Sequence, residues 1–503
     1  MKKALFFSNQ GLSIPSLGME LEVAAQLAAG GYEVHVLTCN NCLDSCYFNP
    51  THNLLGCAVC ESRSAHFHRH IGIPAHCRHQ LRRFEEAERM VFPHFPDMAS
   101  LMAYEYEGVN IGRGALSSVV SLTRCNVVNS HTHGPLIALQ LKAALQALLN
   151  ARLYIDLIQP EVVYLYNGRF AEVFPLVDLC TRRGLKFYTM EMENHLFKYN
   201  LYPNGLPHSL RIFHQQMMEH WAAAPAAGRE ADAISWFEAK RQGAQTNDKS
   251  YLDKQIKGAL PDNFDPARHN IALFNSSEDE LVSISEWQSE LSASQNAAIE
   301  RMALHFAHDP RLHFYLRVHP NLLGLHNPQT EGIRRLQFPN LTIIPADSPV
   351  DTYTLMEACD KTVVFGSTTG IEAAFWGRPS ILVGHSFYES LGCVYHAQSW
   401  PQLFGWLADL NLPPKDRALT YPYGLFVPQR GRPYHRLKWQ GKGNSYFDGQ
   451  KIRRIYPPAW LRLAAYLSRL PHWLRSHRIL HGRSLKLRDV LLLKAENKLP
   501  DSL

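Results

Sequence analysis

The chain has 503 residues, 46% hydrophobic and 19% charged, an ordinary globular composition with apolar material for two or three cores. This excludes a disordered, collagen-like or small disulfide-stapled protein, and no run of eighteen apolar residues marks a membrane-spanning helix. The formal charge of +6 is unevenly placed: residues 430–488 hold fifteen Lys and Arg against Asp448 alone, which leaves the rest mildly acidic.

The first residues, MKKALFFSNQ, have a basic flank but too short an apolar stretch for a signal peptide, so a cytoplasmic protein is expected. Residues 4–8 have the length and apolarity of a strand, and 9–16 form a polar loop with Gly11 and Pro15. Leu17, Leu21, Ala24, Ala25 and Ala28 then share one helical face. Gly30-Gly31 ends that helix, and 32–38 alternates as a second strand. The result is a βαβ opening of Rossmann type, without the G-x-G-x-x-G fingerprint of a tightly bound dinucleotide. Six of the ten cysteines crowd residues 39–77. Cys39-x2-Cys42-x3-Cys46, followed by Cys57-x2-Cys60, has spacing that a tetrahedral zinc site accepts, with His66, His68, His70 and His76 as alternative ligands. Reduced, unliganded thiols are the competing reading, and an iron–sulfur cluster is a weaker one.

A Leu/Ala-rich helix over 138–158 leads into strands at 162–166 and 186–190. Residues 205–265 read as helical and irregular, and the inter-domain connection is placed near 260–265. In the second half, 271–275, 314–318, 341–345, 362–365 and 380–383 are strands. Helices lie between them, one with Ile299, Met302, Ala303 and Phe306 on a single face and one opening at Ser348-Pro349 and running to Cys359. Such alternation predicts a parallel sheet covered on both faces. Two such halves facing a cleft is the GT-B arrangement. The expected domains are 1–262, with the Cys-rich insertion at 39–77, then 263–425, and a basic, partly amphipathic helical tail over 426–503.

The most informative stretch is a β-branched strand running into Gly366-Ser367-Thr368-Thr369-Gly370 and directly into a helix. Small residues admit a ligand to the backbone, and unpaired N–H groups at a helix start attract phosphate. Glu372, one turn on, has the carboxylate that ribose hydroxyls require. Arg317 and His319 alternate at another strand end, where open α/β sheets bind ligands. There Arg can clamp a diphosphate and His can donate to a leaving-group oxygen. Asn275 and Ser276 follow a third strand of the same half. In the first half, Asn167 and Arg169 follow one strand and Glu191 and Glu193 the next. A carboxylate there, or His131 or His133, can deprotonate an acceptor hydroxyl.

Together 274–280 (FNSSEDE), 316–321 (LRVHPN) and 365–379 (FGSTTGIEAAFWGRP) resemble the bacterial capsular polysaccharide biosynthesis proteins. This is a GT-B-like group related to Kdo-transferring capsule enzymes and, more distantly, to UDP-N-acetylglucosamine 2-epimerases. The resemblance covers about residues 1–425. It implies a nucleotide-activated sugar on the second half and an acceptor on the first, with Gly366–Gly370 at the phosphates, Glu372 at the ribose, and Arg317 and His319 matching an Arg-x-His-Pro element. It also favours Cys39, Cys46, Cys57 and Cys60 as the set for a structural zinc, leaving Cys42 and Cys77 spare.

The expected activity is glycosyl transfer from a nucleotide-sugar donor to a growing surface glycan or lipid-linked acceptor, with catalysis independent of metal. The rival readings are a nucleotide-sugar 2-epimerase and a non-catalytic polysaccharide-binding or export-coupling subunit. In the tail, Trp460, Leu463, Ala464 and Leu467 beside Arg462 and Arg469 fit contact with an anionic inner-membrane surface, and equally an ordinary helix packed on the body with a solvated basic face. No nucleic-acid motif accompanies the charge, so no nucleic-acid partner is expected.

Overall fold

Strand β1 (Lys3–Ser8) is buried from Ala4 onward, and it sits between two parallel neighbours, β2 (Glu33–Thr38) and a strand that follows much later in the chain. Between them α1 (Ile14–Ala29) makes the crossover, starting earlier than the loop reading of 9–16 allowed. Pro15 lies in its first turn, where a missing N–H costs nothing. Next come α2 (Leu54–His70), β3 (Arg78–Gln80), α3 (Gly112–Thr123) and α4 (Ser130–Ile158). The neighbour on the other side of β1 is β4 (Val162–Tyr166), buried at every position, followed by α5 (Phe174–Arg182), β5 (Lys186–Glu193) and β6 (Lys198–Pro203). The order β3-β2-β1-β4-β5 is parallel, and β6 returns antiparallel to β5. The expected strand at 186–190 is thus the start of a longer strand in a β-hairpin.

These coordinates are a computed structural model that describes residues 1–193, 198–243, 254–440 and 445–455. They divide into two units, one of residues 1–123, 127–207 and 431 onward, the other of 124–126 and 208–430.

The second unit begins with α6 (Leu210–Ala223) and α7 (Arg229–Arg241). It continues through β7 (His269–Phe274), α8 (Gln295–His305), β8 (Leu312–Arg317), α9 (Pro328–Arg335), β9 (Leu341–Ile344) and α10 (Thr352–Ala358). Then follow β10 (Lys361–Val364), α11 (Thr369–Phe375), β11 (Ser380–Leu382), β12 (Tyr395–His396), α12 (Trp400–Ala408) and α13 (Tyr421–Gln429). The six-stranded sheet is parallel throughout, in the order β9-β8-β7-β10-β11-β12. Numbered within the unit this is 3-2-1-4-5-6, the doubly wound Rossmann order, whose switch point lies between β7 and β10. Alternation along the strands separates two cores. Ile271 and Leu273 pack with Ile299, Met302 and Leu403, while Ala272 and Phe274 pack with Phe237, Ile371 and Phe426. Two Rossmann-type α/β units are therefore present, as the GT-B class requires.

The unit boundary falls at 207/208 rather than near 262. Phe213, Met217, Trp236 and Phe237 of α6 and α7 are buried in the same core as Phe274 and Phe375, so these helices fold with the second sheet. Helix α10 is capped by Asp351, whose side chain accepts from the Tyr353 amide, rather than by Ser348.

The expected tail domain 426–503 is also divided. Residues 421–429 are α13 of the second unit, and the chain then rejoins the first. There β13 (Arg432–Pro433) pairs with β6, and β14 (Leu437–Trp439), β15 (Ser445–Phe447) and β16 (Gln450–Lys451) form a small antiparallel sheet. Leu437, Phe447 and Ile452 join Ile14, Leu17, Leu21 and Phe67 in one apolar cluster. The amphipathic stripe at 460–467 lies outside the described residues. Among those described, no helix is long and apolar enough to cross a membrane.

One carboxylate fastens the returning segment. Glu22, fully buried on α1, accepts from the amides of His435 at 3.0 Å, Arg436 at 2.9 Å and Leu437 at 3.3 Å. Gly18, one turn earlier, lets Leu437 approach, since a Cβ there would lie 2.6 Å from its methyls. Glu22→Ala strands three amide donors, and an unsatisfied buried donor costs about 1–3 kcal/mol. The expected result is a lowered melting temperature with hydrogen exchange accelerated first at 435–437; unchanged protection there would contradict the latch.

Candidate functional site

At the switch point of the second unit, β7 ends in Asn275-Ser276 and β10 in Phe365-Gly366, side by side because Phe274 pairs with Val364. Asn275 is 1% exposed. Its Oδ1 accepts from the His319 amide at 2.8 Å, whereas its Nδ2 is buried with no hydrogen-bond partner. The amide of Ser276 donates to Gln295 Oε1, and its carbonyl accepts from Gln329 Nε2. His319 follows β8; the Asn321 amide donates to its Nδ1 at 3.1 Å, which puts the ring proton on Nε2. Burial holds this imidazole neutral by lowering its pKa to about 4.

Arg317 is placed differently from its expected phosphate role. It is 4% exposed, and its guanidinium donates to the carbonyls of Pro345 and Ser348 (3.0 Å for the latter), bracing the segment after β9. Burial weakens its hold on its proton. Arg317→Ala should therefore act first on folding, lowering stability by about 1.5–3 kcal/mol for bonds from a charged donor. Comparing melting temperature with donor affinity of the folded fraction separates this from a binding role.

The Gly366–Gly370 turn is built for close approach. Gly366 has φ 131°, and a Cβ at Gly370 would lie 2.3 Å from Tyr388 Oη. Ser367 Oγ and Thr369 Oγ1 are 2.9 Å apart, and Tyr388 donates to the Ser367 carbonyl. Glu372, 6% exposed, is already engaged: Lys240 Nζ of α7 lies 3.1 Å from Oε1, and Tyr353 donates its phenol to Oε2. The same ammonium reaches Thr368 Oγ1 at 3.3 Å. A cation thus stands beside the turn, on a helix that sequence reading left unassigned.

Sequence reading also missed His385, Glu389 and His396, whose ligating atoms lie within 4.8 Å of one another. The Glu389 carboxylate accepts from His385 at 3.0 Å and raises its pKa. A His three residues after β11, followed four residues later by Glu, was the available signal. A cavity of about 720 Å³ in this unit, lined by Arg241, Lys257, Tyr353, Glu357 and Trp376, opens against α7 and α10 rather than the strand ends.

In the first unit, Asn167 (φ 53°) and Gly168 (φ 88°) turn the chain after β4. Asn167 Nδ2 donates to Glu191 Oε2 at 2.5 Å, and the Met192 amide donates to Oε1 at 3.0 Å. Burial outweighs these bonds and pushes the Glu191 pKa up to about 7. Arg169 adds a nearby positive charge and reaches Ser121 Oγ at 3.3 Å. The structure therefore brings Asn167, Arg169 and Glu191 together. Glu193 instead accepts from the buried Tyr202 phenol, and His131 is exposed in the first turn of α4.

Cys39, Cys46, Cys57 and Cys60 line one cavity of about 30 Å³ with Ser8, Asn9 and Asn49, and neither Cys42 nor Cys77 is among its walls. Cys39 follows β2, Cys46 lies in the loop after it, and Cys57 and Cys60 are one turn apart on α2. The histidines are engaged elsewhere: His68 with Glu20, His66 with Gln450 and His70 with Asp448. Cys77 joins Glu33 and His35 in a second group whose ligating atoms lie within 4.8 Å. The four cavity cysteines are not in any group that tight among the described residues.

Residues 286–402 match the family described as capsule polysaccharide biosynthesis protein. The matched segment contains Arg317, His319, Gly366–Gly370, Glu372 and the His385 cluster. No curated protein matches the chain. Among solved structures, the β-Kdo 2,4-transferase KpsC of Thermosulfurimonas dismutans is 12% identical over 53% of this chain and 79% of its own, with TM-score 0.35. The glycosyltransferase SnogD from Streptomyces nogalater is 13% identical, over 85% and 96%, with TM-score 0.24. The UDP-GlcNAc 2-epimerase from Neisseria meningitidis is 10% identical, over 84% and 97%, with TM-score 0.22.

Proposed function

We propose that this chain is a glycosyltransferase of capsule-type polysaccharide assembly that takes a nucleotide-activated sugar at the strand ends of its second unit. The observation that carries the reading is Asn275 Nδ2, a buried donor without a partner at the switch point of a 3-2-1-4-5-6 sheet. An unsatisfied buried donor is costly, and a ligand oxygen satisfies it. The family match over 286–402 adds support, because its span holds His319 and the Gly366–Gly370 turn.

In this reading Asn275, the Ser367 and Thr369 hydroxyls and Lys240 receive the donor phosphates, and the His319 Nε2–H donates to the leaving oxygen. The acceptor hydroxyl attacks the anomeric carbon. The bond from that carbon to the phosphate oxygen breaks, the nucleotide leaves with the electron pair, and the hydroxyl proton passes to a general base. Glu191, a buried carboxyl with its pKa raised to about 7, is the candidate for that role. Protein donors carry the charge of the leaving phosphate, with no resident metal assigned to the step. A glycan or lipid-linked hydroxyl is the acceptor, and the basic C-terminal segment draws the protein to an anionic membrane surface.

The test is thermal shift and calorimetry against UDP-, CMP-, GDP-, CDP- and dTDP-sugars, with Asn275→Ala alongside. Ligand binding to the folded state raises the melting temperature by mass action. One nucleotide class stabilising the protein, with the shift lost in Asn275→Ala, supports the donor site. No shift with any of them removes it, and turnover of a bound donor without acceptor replaces transfer by epimerisation.

A further inference from the structure

We infer that Cys39, Cys46, Cys57 and Cys60 form a tetrathiolate metal centre at the carboxyl end of the first unit's sheet, independently of the donor site. All four cysteines line one small cavity, reached from the end of β2 and the first turns of α2. Asn49 Nδ2 lies 3.2 Å from Cys57 Sγ. A neutral thiol is a weak acceptor, whereas a thiolate is a strong one. The Asn49 donor on Cys57 therefore matches a thiolate, as in metal–thiolate centres with N–H···S bonds in their outer shell.

Four cysteines around one small cavity are a ligand set for a thiophilic metal, whose coordination removes the thiol protons and whose charge offsets the thiolates. The backbone is committed to the arrangement. Asn40 and Asn41 turn the loop after Cys39 with φ of 50° and 58°, and Gly11 admits Cys60, since a Cβ there would lie 2.3 Å from the Cys60 carbonyl oxygen.

A single zinc ion and an iron–sulfur cluster share this four-thiolate chemistry. Tetrahedral zinc, with Zn–S of about 2.3 Å, draws its sulfurs to about 3.8 Å apart; these four stand wider than the 4.8 Å groups, and a cluster holds sulfurs farther apart. In either form the centre staples the β1–α1 loop, the loop after β2 and α2, beside the buried Glu172, whose Oε1 accepts from Asn9 Nδ2 and the Tyr47 amide.

The test is metal analysis of the full chain, purified anaerobically in reductant without chelator, with acid-labile sulfide and native thiol titration. About one zinc per chain, or iron with matching sulfide, supports the centre and names its occupant. The content should fall at least tenfold in Cys57→Ser/Cys60→Ser and stay unchanged in Cys42→Ser and Cys77→Ser. If the double variant does not fold, the wild-type protein decides. Sulfur-to-cobalt charge-transfer absorption after cobalt exchange, or a dithionite-bleached visible band, is then expected. Metal-free protein with these thiols titrating freely overturns the inference, as does metal lost with Cys77 but kept without Cys57 and Cys60.

Discussion

Glu191→Gln is expected to cut glycosyl transfer by about 10²–10⁴-fold, the usual range for removing a general base, while donor-induced stabilisation stays at its wild-type value. Gln keeps the shape but has one acceptor oxygen, so it accepts from only one of Asn167 Nδ2 and the Met192 amide, and it cannot take a proton. The group is suited to the task because burial has brought its pKa to about 7. A base works in its deprotonated form, so transfer should rise with pH through about 7 and level off above it. The same shift has the opposite sign for folding. A carboxyl raised above its usual 4.5 binds a proton more tightly in the native state, so its stabilising contribution is full below 4.5 and fades as pH rises through about 7. A wild-type rate in Glu191→Gln, or a flat pH profile, would transfer the role to another group.

Lys240→Ala should destabilise the second unit by about 3–5 kcal/mol, the range for removing one member of a buried ion pair. The Lys240 and Glu372 side chains are 13% and 8% exposed, so water cannot replace the lost ammonium. For a unit of this size the melting temperature falls by on the order of 10 °C. Lys240→Met with Glu372→Leu should recover part of the loss, because no charge is then left buried alone; a double-mutant cycle measures the coupling. Donor binding should fall in both, since Lys240 also reaches Thr368 beside the Gly366–Gly370 turn. Unchanged stability in Lys240→Ala would show that the pair contributes no more than an exposed one.

Strand positions were legible because burial on both sheet faces leaves near-continuous apolar runs, and 162–166 was read to the residue. The β5–β6 hairpin and the segment rejoining at 432–451 were not, because antiparallel edge strands rich in Tyr, Asn and Lys carry little apolar signal. The boundary near 262 was misplaced for a related reason. Periodicity identifies α6 and α7 as helices, but it does not say which sheet their aromatic residues will cover. In the site, the strand-end positions of Asn275, Gly366 and Asn167 followed from βα alternation, whereas Glu191 lies inside β5, paired with Asn200 of β6. The partners of Arg317 and Glu372 did not follow from that alternation, since those bonds reach Pro345, Ser348, Lys240 and Tyr353, on segments that spacing does not connect to them.

The return of the chain to its first sheet after residue 430 has a consequence for synthesis. Residues 208–430 emerge as one continuous stretch and can complete their core while the protein is still being made. The N-terminal sheet cannot: Glu22, Leu17 and Leu21 await partners at 435–452, more than 400 residues downstream. The half translated first is therefore finished last, and until then it exposes the edge of β6 and an apolar face of α1. A ribosome-bound chain stalled with residue 430 just clear of the exit tunnel should hold a protease-resistant second half and a cleavable first half, and one stalled with residue 455 clear of it should protect both.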